Sequence, residues 1–80
     1  MNMIFKNIKG LREDGDIKQH QLAKLLGIAQ NTYSQYETGK IAFTDEMLIK
    51  LADFYGTSID YLVDRTNIKE PYPKNNSKTN

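Results

Sequence analysis

Apolar residues recur at helical spacing in successive stretches of this chain, and residues that stop helices stand between them. Ile4, Ile8 and Leu11 share one face, with Met1 or Phe5 widening the stripe, so the spacing predicts a first helix behind Asn2 as N-cap that ends at Asp14 and Gly15. Gly10 inside it costs about 1 kcal/mol relative to alanine. A second helix is expected over 19–26 and a third over 30–38, the latter closed by Gly39 in a left-handed conformation. Thr44 caps a fourth, whose first turn carries Asp45 and Glu46 to complement its dipole; Leu48, Leu51, Ala52 and Tyr55 form its core stripe and Gly56 ends it. Ser58 caps a short fifth helix from Ile59 to about Val63. The expected class is all-α.

The junction of the second and third helices is the most specific part of the pattern. Ala23 is small enough to let another helix cross close by, and Gly27 can take the positive φ of a tight turn. Leu22, Leu26, Ile28, Tyr33 and Tyr36 can point into one core. Two short helices meeting at such a turn are what a DNA reader requires.

At 80 residues the chain is one domain at most, and a chain of this size buries only about 60% of its unfolded surface. A large catalytic cleft is not expected on that ground. Cysteine is absent, which removes disulfides, thiolate metal sites and thiol nucleophiles together. Metal chemistry would rest on His20 and carboxylates, and no metal or cofactor is expected. No nucleophile stands beside a base and no glycine loop suits phosphate, so an enzyme is the weakest of the functional classes. No stretch approaches the roughly 18 apolar residues of a membrane span, and the N-terminal residues have no apolar signal region, so the chain reads as cytoplasmic with no membrane partner. The formal charge of +1 is nearly neutral, but Lys18, Lys24 and Lys40 stand against Glu37 between Ile17 and Lys40, while Asp45, Glu46, Asp53, Asp60 and Asp64 occupy the second half. A generally solvated mixed-charge surface accounts for the composition equally well.

From Asn67 the chain turns polar: Lys69, Glu70, Pro71, Tyr72 and Pro73 precede a run of Asn, Ser, Lys and Thr with little to bury. The expected organisation is a domain over residues 1–66 and a flexible polar tail over 67–80. Pro71 and Pro73 around Tyr72 fit either a polyproline motif or an ordinary linker, including one to a further domain.

The residues from Ile8 to Leu62 resemble the Cro/C1-type helix-turn-helix family (the XRE, lambda repressor-like group of phage repressors, Cro proteins and small bacterial regulators). Ile8 to Arg12 resembles its first helix, Gln19, Leu22 and Ala23 its second, Tyr36, Glu37 and Gly39 the end of its third, and Ser58 to Leu62 its closing helix. The resemblance implies a compact five-helix DNA-binding domain with the motif at helices two and three. The chain departs from the family at Lys18 and Ala29, where Ser or Thr commonly caps helices two and three, and at Tyr33, which replaces a branched aliphatic. Each missing cap costs about 1 kcal/mol, and Lys18 puts a cation at the positive end of a helix dipole. A phosphate there would relieve both.

Placed at about 100° per residue, Gln30, Asn31, Ser34 and Gln35 follow one arc of helix three, with Tyr33, Tyr36 and Glu37 on the other side. Amides suit base reading because their planar donor and acceptor match adenine N6 and N7 in the major groove, so these four are the candidate base readers; an ordinary wet helix face is the alternative. The resemblance implies that Gln19 lies near a phosphate and the first reader, clamping backbone and Gln30 together. Lys18, Thr38 and Lys40 flank the expected phosphate path, with Thr32 and the Tyr36 hydroxyl as further contacts. The resemblance also implies a bidentate ion pair between Arg12 and Glu37 that fixes helix three to the scaffold.

One reading helix covers few base pairs, so a homodimer with half-sites about 34 Å apart is expected. Ile59, Tyr61, Leu62 and Val63 are its candidate interface, or else cover the base of the monomer. The leading reading is a sequence-specific regulator of double-stranded DNA, acting as a repressor. The other is a protein-interaction module, an antitoxin or the partner of an antirepressor.

Overall fold

The computed structural model describes residues 4–71. Within them the order is α1 (Lys6–Asp14), α2 (Gln19–Leu26), α3 (Gln30–Glu37), α4 (Asp45–Tyr55) and α5 (Ile59–Leu62), with no strand. The class, the number of helices and the position of the turn are as the sequence predicts.

One core holds them together. Ile8 and Leu11 of α1, Leu22, Ala23 and Leu26 of α2, Tyr33 of α3, Met47, Leu51 and Ala52 of α4, and Leu62 of α5 are buried, while Ile28, Tyr36, Leu48 and Tyr55 pack partly buried around them. Three aromatic rings gather around Phe43 in the loop before α4: Phe5 and Tyr33 with centroids at 6.3 Å and Tyr36 at 5.4 Å. Phe43 thereby ties the start of α1 to the inner face of α3, a role nothing in its local sequence indicates. The Tyr55 hydroxyl is enclosed without a hydrogen-bond partner among the described residues, and burial pushes it up to about 12.

The first helix begins at Lys6, three residues later than an Asn2 N-cap implies, with Phe5 as its N-cap. Met1 and Asn2 lie outside the described residues. The missing local cap is replaced from the far end of the fold: Asp64 Oδ2 accepts from the Lys6 N–H and Oδ1 from the Asn7 N–H, each at 2.9 Å. Asn7 Nδ2 in turn donates to the Tyr61 carbonyl at 2.8 Å. Thr44 and Ser58 cap α4 and α5 as expected, accepting from Met47 N–H and Tyr61 N–H.

Every described helix ends in a left-handed residue whose successor donates back to the carbonyl five positions earlier. At the end of α1 that residue is Asp16, with φ 55°, rather than Gly15; after α5 it is Asp64, with φ 64°. The third helix stops at Glu37 and Gly39 has φ 83°. The first residues of the expected tail lie back on the fold: the Thr57 hydroxyl donates to the Lys69 carbonyl, and Pro71 lines an apolar groove with Ile49, Ala52 and Ile59. Tyr72, Pro73 and the rest of that tail are outside the described residues.

Candidate nucleic-acid interface

The turn between α2 and α3 is built from backbone geometry. Gly27 sits at φ 72° and ψ 32°, the Ile28 N–H donates to the Ala23 carbonyl at 2.9 Å and the Gly27 N–H to Lys24 at 3.1 Å. Ala23 is 2% exposed and leaves room for α3 to approach.

α3 divides into two faces. Tyr33 and Glu37 are buried and Tyr36 is half-buried, its ring against Phe43. Gln30 and Asn31 are exposed, and Ser34 and Gln35 half-exposed. Gln30, Asn31 and Ser34 line a shallow depression of about 490 Å³ together with Gln19 of α2. No charged side chain lines it; its walls are amides and a hydroxyl. Gln35 is not among its lining residues, although its carbonyl accepts from Lys40 N–H and Ile41 N–H and so folds the following loop onto the helix end.

A second depression of about 350 Å³ adjoins the first through Gln19 and Gln30 and reaches Lys18 at the start of α2. Glu13 and Asp16 also line it, so its charge is mixed. Neither α2 nor α3 has a side-chain oxygen at its N-cap; Lys18 and Ala29 occupy those positions in extended conformation. Gln21 compensates in part, its Oε1 accepting from the Lys18 N–H at 2.8 Å. By contrast α1, α4 and α5 have carboxylate or hydroxyl oxygens on their first N–H groups.

Behind this face lies the expected ion pair. Arg12 Nε donates to Glu37 Oε2 at 2.8 Å and Nη2 to Oε1 at 2.9 Å, the two parallel bonds of a fork on a carboxylate. Arg12 Nη1 donates to the Ile17 carbonyl. Two further donors were not foreseen. Tyr33 Oη donates to Glu37 Oε2 at 2.9 Å and Gln19 Nε2 to Oε1 at 3.0 Å. Burial alone would push the Glu37 carboxyl up; the hydrogen bonds from Arg12, Gln19 and Tyr33 overcome it and hold the group below its ordinary value. Its hydrogen bond to Glu37 raises the Arg12 guanidinium in turn. With Glu37 enclosed at 5% exposure, the segment from Ile17 to Lys40 turns three lysines and no carboxylate to solvent.

Other candidate residues divide. Lys18 and Lys40 are exposed and Thr32 half-exposed. The Thr38 hydroxyl donates to the Ser34 carbonyl at 2.9 Å, so its proton is committed within the helix end. On α5, Ile59 is exposed at 37% and Tyr61 and Val63 are half-buried, but Leu62 is at 0%. Leu62 is a core residue, not interface: four successive residues of a one-turn helix point in four directions, and its own points inward.

A family model described as helix-turn-helix matches residues 8–62. The chain is 40% identical over 70 residues to the cryptic phage CTXphi transcriptional repressor RstR of Vibrio cholerae, a match covering 85% of this chain and 63% of that protein. It is 32% identical over 69 residues to the antitoxin PezA of Streptococcus pneumoniae, covering 86% of this chain and 44% of the other. Identity to the HTH-type transcriptional regulator AnsR of Bacillus subtilis is 38% over 64 residues, 80% of this chain and 55% of that one. The crystal structure of a transcriptional regulator from Listeria innocua superimposes with a TM-score of 0.72 at 30% identity, covering 92% of this chain and 67% of that chain. The chain thus spans 44% to 63% of the length of these three curated relatives.

Proposed function

The chain belongs to the Cro/C1-type helix-turn-helix family, and from that premise we propose that it is a non-enzymatic, sequence-specific regulator of double-stranded DNA, a repressor acting as a dimer on a two-fold symmetric operator. The observation that carries the reading is the outer face of α3, where Gln30, Asn31 and Ser34 with Gln19 offer uncharged amides and a hydroxyl around one depression. Such groups match base edges in the major groove, whereas a merely soluble helix gains nothing from leaving charge off its most exposed face. The first N–H groups of α2 and α3, which have no side-chain oxygen at their N-caps, suit strand phosphates on either side. Lys18 and Lys40 add charge along the same path, with Thr32 and the Tyr36 hydroxyl beside them. A repressor of this kind works in the cytoplasm and needs no chemistry of its own. It acts by occupying the operator.

Selection of random duplexes with the purified protein, followed by binding of the winning sequence at several salt concentrations, tests the reading. A two-fold symmetric site is expected. With about six phosphates contacted, the slope of log affinity against log salt is near −5; Lys40→Ala flattens it by about 1, while Gln30→Ala relaxes base choice at one position in each half-site. Enrichment of no sequence, with affinity at the nonspecific level, overturns it.

The similarity to an antitoxin favours a second reading, a module that captures a protein partner such as a toxin or an antirepressor through α5 and the chain after it. Function-destroying substitutions would then fall on Ile59 and the apolar groove beside it and spare Gln30 and Asn31.

A further inference from the structure

The Glu37 carboxylate joins three helices at one point. Arg12 reaches it from α1, Gln19 from α2, and Tyr33 from one turn earlier on α3 itself. Arg12 and Gln19 both belong to other helices, so they define where the carboxylate lies relative to α1 and α2. The Tyr33 hydroxyl, bonded four residues along the same helix, holds the carboxylate against α3 beyond the tether of the Glu37 side chain itself. We propose that Tyr33 is a positioning residue for base reading: through Glu37 it locks the side-chain amide of Gln19 in one orientation, nitrogen inward and oxygen toward Gln30.

The orientation follows from the donor inventory. An ionised carboxylate only accepts, so Gln19 must turn its nitrogen to Glu37, since the flipped amide would set oxygen against oxygen. The amide is planar, so the oxygen is the end left for the depression that Gln19 shares with Gln30. With the Gln30 side chain turned toward it on DNA, that oxygen would accept an N–H from the Gln30 amide, which would leave Gln30 with one carbonyl and one N–H in defined places for a base edge. The ring of Tyr33 is 0% exposed and packs edge-on to Phe43, space that phenylalanine fills as well; the hydroxyl has a separate task, and its one hydrogen bond goes to Glu37. Burial and the nearby Glu37 charge raise the Tyr33 hydroxyl, so it keeps its proton and stays a donor. The branched aliphatic that Tyr33 replaces could not do this.

The inference rests on the DNA-reading function, and two measurements keep the failures apart. In the free protein, ¹⁵N NMR is expected to show the Gln19 side-chain amide shifted and protected from solvent exchange, with both properties lost in Tyr33→Phe. A wild-type amide that exchanges freely, or one unchanged in the variant, overturns the positioning role without touching DNA reading. On DNA, Tyr33→Phe is expected to reduce discrimination at the base opposite Gln30 about tenfold, within the range one amide–base pair supplies, while affinity for unrelated duplex stays within about twofold. Loss of specific and unrelated binding in the same proportion means a structural role only, and overturns it. Should Tyr33→Phe fail to fold, Gln19→Met isolates the same link: it is expected to give the same loss with Tyr33 intact, and full discrimination in that variant overturns the proposal. If wild-type protein selects no sequence, DNA reading itself has failed and the positioning role falls with it, whatever the NMR arm shows of the Tyr33–Glu37–Gln19 chain.

Discussion

Glu37 holds its charge in a nearly closed site because four hydrogen bonds reach its two oxygens. Removing water from a carboxylate costs several kcal/mol unless donors replace it, and here they over-replace it. The group lies below its ordinary value of 4.5, so the stability it contributes is full above about pH 4.5 and is lost as pH falls through its folded value. Urea denaturation should therefore find the wild type losing more stability between about pH 5 and pH 3 than Glu37→Gln does, although that variant is weaker by about 3 kcal/mol at neutral pH because it leaves Arg12 unpaired. Equal acid losses would mean that other carboxylates account for the titration. Arg12 with Glu37 was legible in the sequence through family resemblance. Tyr33 was legible only as an apolar position, because a tyrosine at core spacing reads the same whether or not its hydroxyl meets a partner.

Helix ends show how local and distant chemistry divide the work. Thr44 and Ser58 cap the helices that immediately follow them, a local interaction that the sequence states directly. The start of α1 depends on Asp64, 58 residues from Lys6, and no window of sequence contains that pair. Asp64 is held at φ 64° by the end of α5, so the same turn that closes the last helix aims a carboxylate at the first. Asp64→Ala should cost about 2 kcal/mol in urea denaturation, losing the cap and placing a Cβ with no polar compensation in the left-handed region, and Asp64→Asn should recover part of it. Gly10→Ala should move the other way by about 0.5–1 kcal/mol, since a Cβ at Gly10 meets nothing within 4 Å. If Asp64→Ala leaves stability unchanged, the clasp between the two ends contributes nothing.

Across the whole molecule the two ends of the fold serve different surfaces. Gln19, Gln30, Asn31 and Ser34 gather on one face, while Ile59 and Ile49 border an apolar groove between α4 and α5 in which Pro71 also takes part. On the proposed reading the first surface meets DNA and the second lies at or beside the dimer contact, with Tyr61 and Val63. Ile59→Glu should then shift sedimentation from dimer toward monomer and reduce operator affinity steeply, while leaving the Arg12–Glu37 network and thermal stability nearly unchanged, because Ile59 is 37% exposed. Wild-type protein that sediments as a monomer both free and on DNA would remove the dimer.

The sequence by itself determined the helices, the start of α1 excepted, because apolar spacing, hydroxyl caps and Gly27 act over a few residues and each favours one local conformation. It also determined which side chains of α3 face outward, since a helix presents residues at a fixed angle. Tertiary structure decided the interactions that need partners far apart in the chain: Asp64 on α1, Phe43 beneath three rings, Leu62 turned into the core, and Tyr33 with Gln19 on one carboxylate. Those depend on where rigid helices come to rest against one another. A hydrogen bond with a reach of about 3 Å is set by that placement and not by the residue types alone.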